Sequence, residues 1–169
     1  YAIAFIPKYG VLRGLWYGVF HSVSAFCNAG IDILGANSLE GYQTDPYINL
    51  VTILLIIVSG LGFLVWRDLT LTAKRIWKKE YPAGRALQKM RLHTKLALSM
   101  TGFLLIIGTV AIFAMEYTNP RTIGTMTTGQ KWIASLFQAV TTRTAGFFTI
   151  PQDHFLPQSQ LLSGMLMFI

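Results

Sequence analysis

The sequence predicts an all-α membrane protein, and three observations carry that prediction. Of the 169 residues, 53% are hydrophobic and 12% are charged, whereas an ordinary soluble domain carries about 25% charged residues. Two uncharged runs are each long enough to cross the hydrocarbon core of a bilayer. The formal net charge of +7 comes from one short segment between these runs. So high an apolar content also excludes a disordered chain.

The first apolar run covers residues 48–66 and reads INLVTILLIIVSGLGFLVW. At a rise of about 1.5 Å per residue, a helix of this length spans roughly 28 Å, close to the thickness of the hydrocarbon core. Asp45 can cap the helix and Pro46 suits its first turn, so we expect the helix to begin there. Arg67 and Asp68 mark its expected end.

The second apolar run covers residues 96–115, reads LALSMTGFLLIIGTVAIFAM, and is followed by Glu116. It is likewise predicted to cross the membrane. A third apolar run begins near Gln158 and is still apolar at Ile169, and the chain does not begin with Met. We therefore expect the chain to be an internal segment of a larger polytopic membrane protein.

The basic residues are concentrated between the two apolar runs, in residues 74–95. Glu80 is the one acid of this segment. The positive-inside rule places such a segment in the cytoplasm, so residues 28–47 and 116–130 are expected outside. A nucleic-acid domain instead spreads its basic residues over a folded polar surface, so we expect no nucleic-acid partner. The basic residues are Lys74, Arg75, Lys78, Lys79, Arg85, Lys89, Arg91 and Lys95.

Two further apolar segments are too short to cross a membrane, so they predict buried or re-entrant helices. They cover residues 15–26 (LWYGVFHSVSAF) and 131–142 (KWIASLFQAVTT). Each is followed at once by a turn of small residues, and each precedes a longer apolar run. The repeated order of short helix, turn and apolar run predicts an internal structural repeat.

An offset of 116 residues aligns the two units, matching Trp16 with Trp132 and Gly30 with Gly146. Non-helical backbone at membrane depth persists only where protein or a water-filled cavity shelters it. A ring of such turns can present backbone carbonyls to a cation, and each short helix points its partially negative end toward it. The sequence thus predicts repeated pore units around a cation path.

The sequence contains no pattern that indicates an enzyme. It shows no nucleophile with a neighbouring base, no pair of catalytic carboxylates and no phosphate-binding loop. Its one cysteine and three histidines form neither a disulfide framework nor a zinc pattern. We therefore expect no catalytic activity, no organic cofactor and no transition-metal site.

Three stretches carry a resemblance to a known family: FHSVSAFCNAGID (20–32), SGLGF (59–63) and FQAVTTRTAGFFTI (137–150). They resemble the Trk/Ktr/HKT superfamily of potassium transporters, and most closely its Ktr-type bacterial membrane subunit. The resemblance implies four repeats of outer helix, pore helix, filter loop and inner helix around one pore, a potassium-channel-like fold. It assigns 1–73 to the second-repeat pore helix, filter loop and inner helix, 74–95 to a basic cytoplasmic linker, and 96–169 to the third-repeat outer helix, pore helix, filter loop and start of the inner helix.

By this resemblance, backbone carbonyls of two loops line a potassium site. The resemblance places the first and fourth filter loops of the family outside this sequence. The implied filter residues are Cys27, Asn28, Ala29 and Gly30 in one loop, and Arg143, Thr144, Ala145 and Gly146 in the other.

The resemblance further implies potassium uptake across the plasma membrane by the translocating subunit of a regulated system. Its implied partners are potassium, sodium as a candidate coupling ion, a second copy of the subunit, membrane lipid and a cytoplasmic nucleotide-binding ring. The alternative, from another class of protein, is a non-conducting membrane module whose re-entrant loops only pack. A third hypothesis, an intramembrane enzyme, lacks the side chains described above.

Several residues near the loops keep two interpretations. Asn28 and Thr144 either orient their loops through side-chain hydrogen bonds or contact the ion. Ser59, Gly60 and Gly62 interrupt a helix of bulky residues, which favours close helix packing, with a hinge as the alternative.

Arg143 is unusual beside a cation path. We expect its guanidinium to turn away from that path and to bind nearby carbonyls or a carboxylate, with Asp32 as a candidate partner.

Overall fold

A computed structural model describes residues 1–35, 38–79, 82 and 86–168 of the chain. Every regular element among these residues is a helix, in agreement with the predicted all-α class. The helices are α1 (Ala2–Tyr9), α2 (Val11–Phe26), α3 (Pro46–Gly60), α4 (Phe63–Trp77), α5 (Ala86–Lys89), α6 (Leu92–Glu116), α7 (Thr128–Thr141) and α8 (Pro157–Met167), with short 3-10 turns at Glu40–Tyr42 and Gln152–His154.

The chain divides into two compact units. The larger unit consists of Tyr1–Gly60 and Leu104–Ile169, and the smaller unit is Leu61–Phe103. Among the described residues, α6 is the one helix long and apolar enough to cross a membrane by itself, and α3 and α4 meet that test only when taken together as one broken span.

The first apolar run is not the single helix that its composition predicts. Its start is as expected, because α3 begins at Pro46 and the Asp45 carboxylate accepts a hydrogen bond from the Tyr47 amide at 2.9 Å. The expectation of one continuous helix is wrong, because α3 ends at Gly60 and α4 begins at Phe63. Gly62, which precedes α4, has a φ of +78°, a left-handed conformation that glycine adopts without steric cost.

The basic segment 74–95 is not a simple linker between two spans. Helix α4 continues to Trp77, and α6 begins at Leu92, four residues before the predicted run. Lys74 and Arg75 therefore belong to α4, Lys89 belongs to α5 and Lys95 belongs to α6, while Lys78, Lys79 and Arg91 lie between helices. Arg85 and Glu80 lie outside the described residues.

Helices α1 and α2 form an antiparallel pair that the sequence prediction missed. The pattern predicted a short helix over 15–26, whereas α2 begins at Val11 and follows α1 directly. Gly14 and Gly18, one turn apart on α2, allow the two backbones to approach closely. A Cβ atom on Gly14 would lie 2.6 Å from the Ile6 Cα, and one on Gly18 would lie 2.8 Å from the Ala2 nitrogen.

The core of the larger unit packs α1, α2, α3 and α7 around buried aromatic side chains. His21 is fully buried, and its ring centre lies 5.4 Å from that of Phe5 and 6.3 Å from that of Phe147. Phe137 on α7 and Ile56 on α3 belong to the same core. This core fixes the C-terminal ends of α2 and α7 relative to one another.

The loop that enters α3 is held by a buried amide. The Asn49 Nδ2 donates to the backbone carbonyl oxygens of Tyr42 at 3.1 Å and Asp45 at 2.7 Å. The Tyr42 hydroxyl donates to the Tyr9 hydroxyl at 3.4 Å. Burial, and to a smaller extent this bond to Tyr9, raises the pKa of Tyr42 above its ordinary value. The Tyr42 phenol therefore stays protonated at neutral pH.

Glu116 at the end of α6 is fully buried and joins three segments of the larger unit. One carboxylate oxygen accepts hydrogen bonds from the Asn119 Nδ2 and the Thr122 hydroxyl, each at 2.7 Å. The other oxygen accepts one from the Leu156 amide at 2.9 Å, directly before α8. The carboxylate therefore connects α6, the turn after it and the start of α8.

We expect Gly14→Ala to destabilise the complete protein that contains this segment. The added methyl group would overlap the α1 backbone, and such overpacking costs about 2 kcal/mol. Thermal unfolding of the purified protein in detergent measures the effect. Gly129→Ala is the control, because a Cβ atom at this helical position meets nothing within 4 Å. Equal melting temperatures for the two variants would contradict the close α1–α2 contact.

Glu116→Leu should lower stability by about 3 kcal/mol, because it leaves three hydrogen-bond donors without their acceptor in a buried site. The expected result is a lower melting temperature and faster proteolysis in the turn after α6. Asp153→Leu provides the comparison, because the Asp153 side chain is 76% exposed. If both variants have the same melting temperature, the buried Glu116 carboxylate does not hold these segments together.

Candidate functional site

The site is built where α2 and α7 end, because the loops that follow these helices lie against each other. Gly30 in the first loop faces Ala145 and Gly146 in the second. A Cβ atom on Gly30 would lie 2.6 Å from the Gly146 Cα and would also overlap the Ala145 carbonyl oxygen. The two backbones therefore touch, and only glycine fits at position 30.

The two loops have the same backbone pattern. In the first loop, Asn28 has a φ of +50° and Gly30 a φ of +63°. In the second, Thr144 has a φ of +67° and Gly146 a φ of +80°. These pairs match at the offset of 116 residues. Left-handed backbone is uncommon outside glycine, so its recurrence at Asn28 and Thr144 is a specific feature of the pair.

A hydroxyl group near the end of each short helix holds the carbonyl that follows the loop glycine. The Ser24 hydroxyl donates to the carbonyl oxygen of Ile31 at 2.6 Å. The Thr141 hydroxyl donates to the carbonyl oxygen of Phe147. The two carbonyls are equivalent at the offset of 116, although the donors differ by one position. Sequence reasoning missed both donors, whose only signal was a small hydroxyl residue in the last turn of each helix.

The side chain of Asn28 orients its loop. The Ser59 hydroxyl, on α3, donates to the Asn28 Oδ1 at 3.2 Å, and it also contacts the Ile56 carbonyl oxygen at 3.1 Å. This bond is one that the loop-orienting interpretation of Asn28 requires, and a direct ion contact of Asn28 stays a prediction. Its counterpart Thr144 is exposed, and a direct ion contact there stays a prediction.

Gly60 and Gly62 are not at close helix contacts among the described residues. A Cβ atom at either position would meet nothing within 4 Å. The interpretation of these glycines as packing positions therefore finds no support in this part of the structure. Gly62 instead stands at the break between α3 and α4, which is where the hinge alternative requires it.

Arg143 is half-buried and lines a cavity of about 270 Å³ next to the loops. Asp32, its predicted partner, uses one carboxylate oxygen to accept hydrogen bonds from the amides of Leu34 at 2.9 Å and Gly35 at 3.3 Å. Pairing of Asp32 with Arg143 stays a prediction. The cavity lies in the larger unit, and its wall combines both loops with α3, α6, α7 and α8: Asn28, Ile56, Ile57, Gly60, Leu104, Ala139, Val140, Thr142, Arg143, Thr144, Leu166 and Met167.

The remaining loop residues present little side-chain chemistry. Cys27 is an exposed free thiol, Ala29 is exposed, and Ala145 is buried. Within the described part of the chain, no group of three or more histidine, cysteine or carboxylate residues is placed to hold a metal ion. The chemistry that the two loops share is therefore that of their backbone.

Buried His21 lies directly behind the two loops. Its Nδ1 lies 2.7 Å from the Tyr17 carbonyl oxygen, and its ring stacks on Phe147, the residue after Gly146. Its Nε2 is buried without a hydrogen-bond partner among the described residues. His21 thus supports the loops from the core.

The family of this chain follows from its comparison with known proteins. A family profile described as "TrkH: Cation transport protein" matches residues 2–169. The chain therefore belongs to the TrkH family of cation transport proteins. The resemblance to the Trk/Ktr superfamily that the three stretches indicated is confirmed.

Individual relatives narrow this assignment. The chain is 39% identical over 168 residues to the potassium/sodium uptake protein NtpJ of Enterococcus hirae, covering 99% of this chain and 34% of that protein. It is 36% identical over 164 residues to the Ktr system potassium uptake protein B of Vibrio alginolyticus, covering 97% and 34%. It is 38% identical over 168 residues to the Ktr system potassium uptake protein B of Bacillus subtilis, covering 99% of this chain and 35% of that protein. The chain thus spans about a third of the length of these relatives.

Thr141→Val should loosen the second loop, because it removes the donor to the Phe147 carbonyl and costs about 1.5 kcal/mol. Thermal unfolding of the complete protein measures this loss. Thr109→Val is the matched control: the Thr109 hydroxyl donates to the Leu105 carbonyl at 2.6 Å, which keeps its backbone partner in α6. If Thr141→Val is no more destabilising than Thr109→Val, the hydrogen bond from Thr141 to the Phe147 carbonyl does not hold the second loop.

Proposed function

We propose that this segment supplies two sides of a cation filter in a potassium uptake protein, and that ions pass along its backbone carbonyls. The observation that carries the proposal is the pair of touching loops with left-handed residues at equivalent positions. In this proposal α2 and α7 are the pore helices of two repeated units, and α3 and α8 belong to their inner helices.

The physical basis is the chemistry of carbonyl oxygens. Residues with positive φ turn successive peptide groups, so that neighbouring carbonyls can face one axis and replace the hydration shell of an ion. The C-terminal ends of α2 and α7, which carry partial negative charge, meet at the loops and favour a cation there. The hydroxyl groups of Ser24 and Thr141 fix the carbonyl after each glycine, which keeps the loop geometry constant.

The identity of the ions is proposed from the relatives. Their names describe uptake of potassium, and in one case of potassium or sodium. We propose potassium as the transported ion and sodium as a coupling or competing ion. The remaining filter segments, a second copy of the subunit and a cytoplasmic nucleotide-binding ring belong to the same proposal for the whole protein.

The membrane placement extends the proposal. The family and the apolar helices support a membrane transport protein. We propose a multi-pass protein of the plasma membrane in which residues 74–95 face the cytoplasm and the filter loops face the outside. That the relatives are uptake proteins favours this function over catalysis. A non-conducting module with packing loops would need no left-handed backbone at matched positions.

Gly146→Ala tests this function. The new Cβ would lie no closer than 3.2 Å to its neighbours, so the variant can fold, but a left-handed alanine costs about 1–2 kcal/mol and distorts the carbonyls. We expect the preference for rubidium over sodium in proteoliposome uptake by the complete protein to fall by about tenfold. Gly30→Ala should in addition lose stability, because of its overlap with the other loop.

Gly129→Ala again serves as the control, with unchanged uptake expected. If the unaltered protein takes up ions and the Gly146→Ala variant is equally selective, the filter assignment is refuted. Absence of uptake by all folded proteins, with or without a regulatory subunit, would favour the non-conducting module.

A further inference from the structure

Helix α4 in the smaller unit buries one face and exposes the opposite one. At 100° per residue, Val65 and Thr72 share a face, and they are 1% and 5% exposed. The opposite face is a single stripe at spacings of three and four residues, which we call the α4 stripe. Its members are all exposed: Phe63, Arg67, Leu71, Lys74 and Lys78.

The α4 stripe alternates apolar and basic side chains. Phe63 is 78% exposed and Leu71 is 41% exposed, while three cations lie between and beyond them. At the end of the helix, Trp77 is 89% exposed. Large apolar side chains are costly to leave in water, and tryptophan favours the boundary between membrane and water. The stripe therefore suits a surface that is apolar and charged at once.

Among the described residues of the smaller unit, no carboxylate pairs with the cations of the stripe. Asp68 is the one acid among those residues, and its carboxylate accepts a hydrogen bond from the Arg91 amide at 2.9 Å, at the start of α6. In the described part of the chain no carboxylate forms an ion pair with Arg67, Lys74 or Lys78. The positive charge of these three side chains suits an anionic partner.

The helix that follows in the same unit indicates that the stripe lies close to a bilayer. Helix α6, which begins in the same unit, is long and apolar enough to cross a membrane. In its first part Leu96, Met100 and Phe103 are each more than half exposed, as expected for side chains that face lipid. Helix α4 itself carries Arg67, Asp68, Lys74 and Arg75 within 15 residues, so its own preferred place is the interface and not the hydrocarbon core.

We propose that the α4 stripe is a binding surface for anionic phospholipid headgroups, with Phe63, Leu71 and Trp77 inserted among the acyl chains. Arg67, Lys74 and Lys78 bind the phosphates, and their long aliphatic stems lie along the apolar boundary. Only the choice of leaflet rests on the proposed topology, in which the cytoplasmic leaflet supplies the lipid. An acidic protein partner would satisfy the cations, but it would give no reason for the exposed apolar side chains between them.

Fluorescence quenching of Trp77 tests the proposal. The complete protein is placed in nanodiscs that contain phosphatidylcholine and phosphatidylglycerol, with brominated acyl chains on one lipid or the other. The signal of Trp77 is the difference between the protein and its Trp77→Phe variant. We expect brominated phosphatidylglycerol to quench more strongly at equal mole fraction, and added salt to weaken this preference.

The double variant Arg67→Gln/Lys74→Gln should lose about tenfold of the preference for the anionic lipid. The matched control is Arg13→Gln/Arg121→Gln, which removes two exposed basic residues of the larger unit. The control should keep the preference. Both leaflets of a nanodisc have the same composition, so the result does not depend on the orientation of the protein.

Three results would overturn the proposal. Equal quenching by both lipids would show that the stripe does not select charge. An equal loss of preference in both double variants would show a property of total charge and not of this face. Unchanged quenching in the stripe variant, together with lost binding of a soluble nucleotide-binding subunit, would make the stripe a protein-docking surface. Rubidium uptake measured on the same samples reports separately on the proposed filter.

Discussion

The contact between two backbones, Gly30 against Ala145 and Gly146, is the constraint on which the larger unit depends. No side chain mediates it, so both loops must be placed accurately by what surrounds them. Helices α2 and α7 supply the direction, and the core around Phe5, Phe137 and Phe147 supplies the rigid support. The tight approach of α1 to α2 fixes the first of these helices, and the packing of α3 against α7 fixes the second.

Polar side chains in the larger unit form hydrogen bonds mostly with backbone groups. Asn49 holds the carbonyls before α3, Thr141 and Ser24 hold the carbonyls after the loops, and Glu116 holds an amide before α8. Because a buried donor or acceptor without a partner is costly, each of these bonds selects one loop conformation over its alternatives. The loops are thus defined by hydrogen bonds to the helix ends, which include those from the Ala29 amide to the Ser24 carbonyl and from the Ala145 amide to the Thr141 carbonyl.

Sequence reasoning predicted the parts that depend on composition and local signals. The helical class, the capped start of α3 at Asp45 and Pro46, and the glycines at equivalent positions all follow from residue type and spacing. It favoured close packing over a hinge at Gly62, because the backbone angle that distinguishes the two is not visible in residue type or spacing. It missed α1, whose eight residues carry too little periodicity. The hydrogen bonds from the Ser24 and Thr141 hydroxyls and the stacking of His21 on Phe147 depend on which segments meet in space. Spacing along the chain does not show which segments meet.

The two loops are alike in backbone and unlike in side chains, and this difference has a consequence for how such a protein can change through evolution. Cys27 and Arg143 hold the same aligned position, one small and neutral, the other large and positively charged. In an assembly of identical subunits every substitution appears in each copy at once. Two unlike loops encoded in one polypeptide can be altered separately, so a mutation can adjust one wall of the site while the opposite wall keeps its original chemistry.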